Sequence, residues 1–332
     1  MERLMPAANR QENHQVVDCP HTHTGTLPKV AILLGTYQGQ LYLPEQLDSF
    51  ATQTHSNWEV WASDDGSSDG THAVFEAYAQ RWSTDRLRIL EGPGKGFSAN
   101  FLSLTCNADI KADYYAYADQ DDIWEADKLA RAVLWLETVS TDKPALYCSR
   151  TRLVDADNNE IGLSPLFSNP PCFANALVQS IGGGNTIVFN NAARALLSDV
   201  GCDTPVPSHD WWSYLVVSGC GGSVFFDRYP SLRYRQHDRN LAGMNTTWQG
   251  RLKRISQLNK GHFSRWNDAN VAALYKLQDK LTPQNLEILE HFNKGRHMSL
   301  VPRLYHLKHS GIHRQTLLGN LGLVVAAIFK KI

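Results

Sequence analysis

Val30-Ala31-Ile32-Leu33-Leu34 is an unbroken apolar run that ends in Gly35-Thr36-Tyr37. A strand covered on both faces by helices reads as continuous rather than alternating apolar sequence, and a run of this length fits that setting. Helical spacing follows over residues 43–52, with Pro44 suited to a first turn. Trp58-Glu59-Val60-Trp61-Ala62 gives a second strand, 71–82 a second helix and 87–90 a third strand. Residues 97–104 read as helix, 114–118 as strand and 126–138 as helix. This βαβα rhythm predicts an α/β fold with a mostly parallel twisted sheet and right-handed crossovers.

Outside this core the pattern changes. Residues 1–27 are polar and aperiodic, and read as a flexible leader. Cys19, His21 and His23 lie in it, where a disordered arm is the better reading than a metal site. After Ala145-Leu146-Tyr147-Cys148-Ser149 come a turn at 155–159, a loop at 168–171 and a strand at 186–189 behind Gly182-Gly183-Gly184. From about 246 the chain reads as wholly helical and richer in Lys, Arg and His. The expected division is a leader 1–27, a nucleotide-binding part 28–125 and an acceptor part 126–245, followed by a helical extension 246–332.

Composition narrows the class. The 332 residues are 42% hydrophobic and 20% charged, which excludes a disordered, collagenous or coiled-coil chain. Lys plus Arg (32) nearly balance Asp plus Glu (33), so no net basic field exists for nucleic acid. Six scattered cysteines without a CxxC pair predict reduced thiols, and the N-terminus has no apolar signal core, so a cytoplasmic setting is expected. Residues 317–329 are apolar but too short to span a bilayer, and read either as a membrane-facing tail or as a buried helix.

Ligands of an open α/β sheet sit beyond the carboxyl ends of its strands. Strand one ends in Gly35-Thr36-Tyr37, strand two in Ser63-Asp64-Asp65-Gly66-Ser67-Ser68-Asp69, and the strand at 114–118 in Asp119-Gln120-Asp121-Asp122. An Asp-x-Asp at a strand end can hold a hard divalent cation through oxygen, and two acids so close repel unless a cation or protons neutralise them. The alternative is that Asp121 or Asp122 caps the following helix.

Val30-to-Tyr37, Glu59-to-Gly70 and Tyr117-to-Trp124 together resemble the family 2 glycosyltransferases, nucleotide-sugar enzymes of GT-A fold. The segments His209-Asp210-Trp211-Trp212 and Tyr234-Arg235-Gln236-His237-Asp238-Arg239-Asn240 are similar to the bacterial rhamnosyltransferase-like branch. The resemblance covers about residues 29–245, and departs from the family at Gln38, where Asn commonly follows the Tyr. It implies that Thr36, Tyr37, Asp64, Asp65 and Asp119 bind the nucleoside, with Lys95 and Asn100 lining the donor pocket. It further implies that Asp119, Asp121 and His237 hold Mn2+ or Mg2+, and that Asp210 is the base of an inverting displacement. Asp122, Trp211, Trp212 and Gly183 are the expected sugar contacts, with core packing an equal reading for the two tryptophans.

The implied activity transfers L-rhamnose from dTDP-L-rhamnose, or a UDP-hexose or UDP-N-acetylhexosamine unit, to a saccharide or lipid-linked saccharide. The setting is bacterial surface polysaccharide (O-antigen or capsule) assembly, with peripheral contact at the inner face of the plasma membrane. Arg251, Lys253, Arg254, Lys260 and Arg265 would suit an anionic lipid surface or form a solvated face. Three competing classes fit less well. A nucleotidyltransferase needs a cation in the loop after strand one, and Gly35-Thr36-Tyr37-Gln38-Gly39 has none. A dehydrogenase needs GxGxxG there. A non-catalytic sugar-binding module would lack the acids at 119, 121 and 210.

Overall fold

The computed structural model describes residues 26–82, 85–237 and 262–332. The Cys19, His21, His23 cluster, the segment 238–240 and the basic positions 251, 253, 254 and 260 lie outside them. The element order opens β1 (Val30–Thr36), α1 (Leu43–Ala51), β2 (Trp58–Asp64), α2 (Thr71–Arg81), β3 (Leu87–Glu91), α3 (Phe97–Cys106), β4 (Tyr114–Ala118). It continues β5 (Ile123–Trp124), α4 (Lys128–Leu136), β6 (Ala145–Val154), β7 (Glu160–Leu163), α5 (Phe173–Ala176), a 3-10 turn (Gly184–Thr186), β8 (Val188–Asn190), α6 (Asn191–Asp199), α7 (His209–Gly219) and β9 (Ser223–Arg235). Four more helices follow: α8 (His262–Tyr275), α9 (Pro283–His297), α10 (Leu300–His309) and α11 (Leu317–Ile328).

The strands form one sheet in the order β3-β2-β1-β4-β8-β6-β9-β5, with β7 beside β6. The β3-β2-β1-β4 half is wholly parallel. Beyond β4 the sheet becomes mixed: β8 runs antiparallel to both β4 and β6, while β9 is parallel to β6. Along β1 alternate side chains enter two separate cores. Ala31 and Leu33 join Trp61, Phe101 and Tyr117 on one face, and Val30, Ile32 and Leu34 join Leu47, Phe50 and Phe75 on the other. Helices cover both faces, which is why the run carries no polar alternation. The sheet is the α/β arrangement expected from the sequence.

Two boundaries differ from the sequence reading in ways that matter for the site. The fourth helix starts at Lys128 with Asp127 at its cap, and β5 lies between it and the acids. Asp121 and Asp122 are therefore not helix caps. The helix expected from Trp211 starts instead at His209, with Ser208 as N-cap, so Asp210 sits inside the first turn. The expectation of helix throughout the C-terminal part holds for the described residues from 262 onward, apart from their short connections. The five described cysteines are free thiols.

Candidate active site

β1 lies between β2 and β4, so the crossovers on its two sides leave in opposite directions and open a crevice at their carboxyl ends. The crevice has two halves of different character.

The first half is the turn after β2. Thr36 Oγ1 donates to Asp64 Oδ1 at 2.8 Å, and Ser67 donates to the same carboxylate from Oγ (2.6 Å) and from its backbone N (2.8 Å). Asp65 accepts the backbone N–H of Gly94 on one oxygen (2.7 Å) and of Gly96 on the other (2.8 Å). The two acids thus tie the 92–96 loop and the end of β1 to one turn. A cleft of about 320 Å3 opens beside them, lined by Asp64, Gly66, His72, Leu90, Glu91 and Gly92. Gly92 packs so tightly that a Cβ there would come within 2.8 Å of the Asp64 carbonyl. Tyr37 is largely exposed at the rim.

Gln38, the position that departs from the family pattern, has φ +53°. Asn tolerates that region better than Gln does. Here Gln38 donates from its backbone N to Ser67 Oγ (2.8 Å) and from its side chain to Ser68 Oγ (3.0 Å).

The second half is the loop after β4, where the acids are desolvated rather than hydrogen-bonded into a turn. Burial first, then the negative Asp121 and Asp210, hold the Asp119 carboxyl above the ordinary carboxylate range. Asp122 is fully buried and is likewise held well above the ordinary carboxylate range, by burial first and then by Asp121 and Asp119. It accepts Asn185 Nδ2 at 2.5 Å, while its other oxygen has no hydrogen-bond partner. Lys128, also fully buried, has its Nζ 4.3 Å from the Trp124 ring centre and is pushed down to about 7 by desolvation. Like charges at short range in a dry site raise one another's pKa until a cation or a proton relieves them.

Asp121 Oδ2 meets His237 Nε2 at 2.8 Å. Gln120 clamps the backbone of Tyr37, accepting its N–H and donating to its carbonyl, each at 2.8 Å. Arg235 is almost completely buried. It donates to the Asp121 carbonyl (3.1 Å), the Ala156 carbonyl (2.6 Å) and Glu45 Oε2 (2.7 Å), so three segments distant in sequence meet on one guanidinium. Asp210 is half-buried, and Ser180 Oγ lies 3.5 Å from its Oδ2.

Among the expected residues, Asp121 meets His237, Asp119 feels the charges of Asp121 and Asp210, and Asp64 and Asp65 close the neighbouring turn after β2; several others are set elsewhere. Asn100 is buried with its side chain closed on Ser63, at both its carbonyl and hydroxyl, so it pins α3 to β2. Lys95 is exposed and pairs with Asp203 at 3.1 Å. Trp212 is wholly enclosed and Trp211 nearly so, with its Nε1 donating to the Ala176 carbonyl at 2.6 Å. Of the two readings for these tryptophans, core packing is the one the structure has. Asp122 lies beneath the loop, out of reach of a sugar in the crevice. Gly183 is exposed at the mouth, and its neighbour Gly184 is the tight one: a Cβ there would strike His209 Nε2.

His209 itself is buried with neither ring nitrogen hydrogen-bonded, stacked on Phe101 at 3.9 Å, and burial lowers it to about 4. Gln120, Arg235, Asn185 and His209 are the positioning groups that sequence reading missed. Their partners lie 83, 114 and 63 residues away for the first three, beyond any local signal.

The donor set can be tested for fit to a cation. No group of three or more His, Cys, Asp or Glu able to hold a metal occurs among the described residues. Asp121 and His237 converge as a pair, and Mg2+ and Mn2+ commonly take one or two protein ligands with the rest from substrate phosphates and water. The pair fits that mode.

Residues 31–195 match the glycosyl transferase family 2 model. The dTDP-rhamnosyl transferase RfbG of Shigella flexneri is 28% identical over 233 residues, which cover 67% of this chain and 78% of that protein. The mannosyltransferase PcManGT from Pyrobaculum calidifontis, solved with GDP-Man and Mn2+, has a TM-score of 0.51 at 16% identity, over 92% of this chain and 87% of that one. S. aureus TarS 1-349, solved with UDP-GlcNAc, has a TM-score of 0.50 at 16% identity, over 85% and 80%. The sheet and its flanking helices have the fold of these transferases. The chain belongs to glycosyl transferase family 2, with the GT-A fold.

Proposed function

We propose that the protein is an inverting, metal-dependent glycosyltransferase that moves L-rhamnose from dTDP-L-rhamnose onto a saccharide carried in bacterial surface-polysaccharide assembly. The likeness to RfbG supports the donor, and the TarS complex keeps a UDP-N-acetylhexosamine as the second reading. In this reading residues 28–125 bind the nucleotide and 126–245 the acceptor, with the helical extension from 246. The chain works in the cytoplasm on an acceptor that is free or lipid-linked at the inner membrane face.

The single observation that carries the reading is the meeting of Asp121 and His237 at 2.8 Å, with the Asp119 carboxyl under the influence of both Asp121 and Asp210. Asp64 and Asp65 hold the turn beside which the pyrimidine sits, and the second lone pairs of Asp65 suit the imide N–H of thymine or uracil. Thr36 fixes Asp64, and Gln120 fixes Tyr37 at the rim near the nucleoside. Asp121 and His237 would hold the cation, oriented by Arg235 on the Asp121 carbonyl and by the Asn185–Asp122 bond beneath. A bound Mn2+ or Mg2+ supplies positive charge against the diphosphate that leaves.

Asp210 accepts the proton of the attacking hydroxyl through a carboxylate oxygen. The acceptor oxygen bonds to the anomeric carbon as the carbon–phosphate oxygen bond breaks, and the electron pair departs with the nucleoside diphosphate. Attack opposite the leaving group inverts the anomeric centre, which from a β-linked rhamnose donor gives an α-rhamnoside. Trp211 and Trp212 do their part indirectly: their burial anchors the helix that carries Asp210.

Asp210→Asn keeps the shape and removes the base. Transfer measured with dTDP-rhamnose and a saccharide acceptor should fall about 10^3-fold, with nucleotide affinity unchanged. An Asp210→Asn protein with near-native turnover removes the residue from this role.

A further inference from the structure

We infer that the exposed face of α11, with the neighbouring surface of α10, is a docking surface for an anionic lipid bilayer. A surface helix of a soluble protein ordinarily has one apolar and one polar face, whereas a helix apolar all round belongs in an apolar medium on every side. α11 (LLGNLGLVVAAI) carries no charged residue. One side packs inward through Leu323, Ala326 and Ala327, all less than a tenth exposed. The other presents Leu317 and Leu318, each 78% exposed, then Leu321, Val324, Val325 and, just beyond, Phe329 at 68%. Leu317, Leu321, Val324 and Ile328 recur at i, i+4, i+7 and i+11, so the bare side chains form a stripe and not a scatter. Val301 (78%) and Tyr305 (56%) add to it from α10.

The stripe is held firmly. Arg303 is buried and donates to the carbonyls of Ala327 (2.9 Å) and Ile328 (3.2 Å), which caps the C-terminal end of α11 from α10. Thr316 caps its N-terminal end through the Gly319 N–H (3.1 Å). The exposed apolar residues are therefore rigidly displayed.

Charge decides the occupant. From residue 291 to 332 the sequence has seven Lys and Arg side chains and no Asp or Glu, against a formal charge of -1 for the whole chain. Lys294, Lys308 and Lys330 of this segment are exposed. A second copy of the chain docked face to face would bring two such cationic surfaces together, which opposes the contact. An anionic lipid surface takes both halves of the feature: headgroups for the lysines and the acyl boundary for the stripe. Twelve residues give a helix of about 18 Å, short of the ~30 Å hydrocarbon core, and no helix among the described residues is long and apolar enough to cross a membrane. The helix lies in the interface.

The placement deepens the transferase reading. Gln315, just before α11, donates from its N to Gln179 Oε1 (2.9 Å) and exchanges two hydrogen bonds with the backbone of Asn169 (each 3.1 Å), and Ser180, the residue after Gln179, lies 3.5 Å from Asp210. Docking through α11 thus sets the acceptor side of the crevice near the bilayer, where a lipid-linked saccharide would present its hydroxyl. That consequence rests on the proposed transfer; the docking itself does not.

The test uses the full chain and vesicles of phosphatidylcholine with or without about 30% phosphatidylglycerol, read by sedimentation. The protein should partition onto the anionic vesicles and lose most of that binding at high salt. Leu318→Glu with Val325→Glu should abolish it, and Lys308→Ala and Lys330→Ala should each weaken it about five-fold, the effect of roughly 1 kcal/mol per cation. Both glutamate positions are exposed, so circular dichroism and turnover on a soluble acceptor should be unchanged, and the two lysine variants test the surface without touching the stripe. Equal binding by wild type and the double glutamate variant overturns the inference. So does a concentration-dependent dimer that the same variant dissolves while no vesicle binding is seen.

Discussion

The two acidic loops of the crevice use the same residue type to opposite ends. In the turn after β2, Asp64 takes three hydrogen bonds from Thr36 and Ser67, and Asp65 takes two from backbone N–H groups. These carboxylates are satisfied, and they build the shape of the cleft beside them. In the loop after β4, Asp119 and Asp122 are desolvated beside Asp121, and one oxygen of Asp122 has no partner. Burial and mutual repulsion there disfavour the charged form of these carboxyls. A satisfied acid stabilises a fold, and an unsatisfied group of acids is stabilised by what binds to it. The first loop reads as architecture and the second as a receptor for positive charge.

The first turn of α7 repeats the pattern of uncompensated burial in His209, which sharpens the comparison through pH. Burial holds its folded pKa at about 4, below the ordinary histidine value of 6.5, so the neutral form is the one the fold accommodates. As pH falls below 6.5 the unfolded chain takes up a proton that the native chain refuses until about 4, and stability is lost across that window. The loss should reach about 3 kcal/mol. His209→Phe forfeits no hydrogen bond, since neither ring nitrogen makes one, and should flatten the slope in urea titrations at stepped pH. An unchanged slope would assign the acid lability to other groups.

A smaller effect separates the two loops directly. Asp64→Ala strands three donors and should cost about 2 kcal/mol in chemical denaturation. Asp122→Asn keeps an oxygen for Asn185 and removes a titratable group whose charged form burial disfavours, so it should change stability by less than about 0.5 kcal/mol in the destabilising direction. Similar costs at both positions would erase the distinction between them.

The parallel half of the sheet was legible because burial on both faces leaves an unmistakable mark: Val30 to Leu34 and Tyr114 to Ala118 contain no charged residue. The strand ends that carry Asp64, Asp119 and Asp121 followed from it. The second half was legible only in part: the strand expected at 186–189 is β8 at Val188–Asn190, whereas β6 owes its length to pairing with β9, a contact between chain segments far apart. Site geometry was hidden for the same reason. Nothing local distinguishes Asn100, which closes on Ser63, from a ligand of the donor, or Trp212 from a sugar platform. Gln120 and Arg235 could have been suspected only from their neighbours: a Gln inside the Asp-x-Asp and an Arg two residues before the His. Their roles depend on Tyr37, Glu45 and Ala156, which no spacing rule connects to them.

The central claim is that the acids after β4, with His237, gather a cation and a pyrimidine diphosphate into one crevice. Thermal unfolding with and without Mn2+ across dTDP-rhamnose, UDP-N-acetylglucosamine and a purine nucleotide sugar probes it most directly. Wild type should be stabilised by a pyrimidine nucleotide sugar, by about 3 kcal/mol at a hundredfold excess over Kd, and only when the metal is present. Asp121→Ala should lose that metal-dependent gain while unfolding like wild type without ligand. Full protection of Asp121→Ala, or protection of the wild type that ignores manganese altogether, would contradict the account.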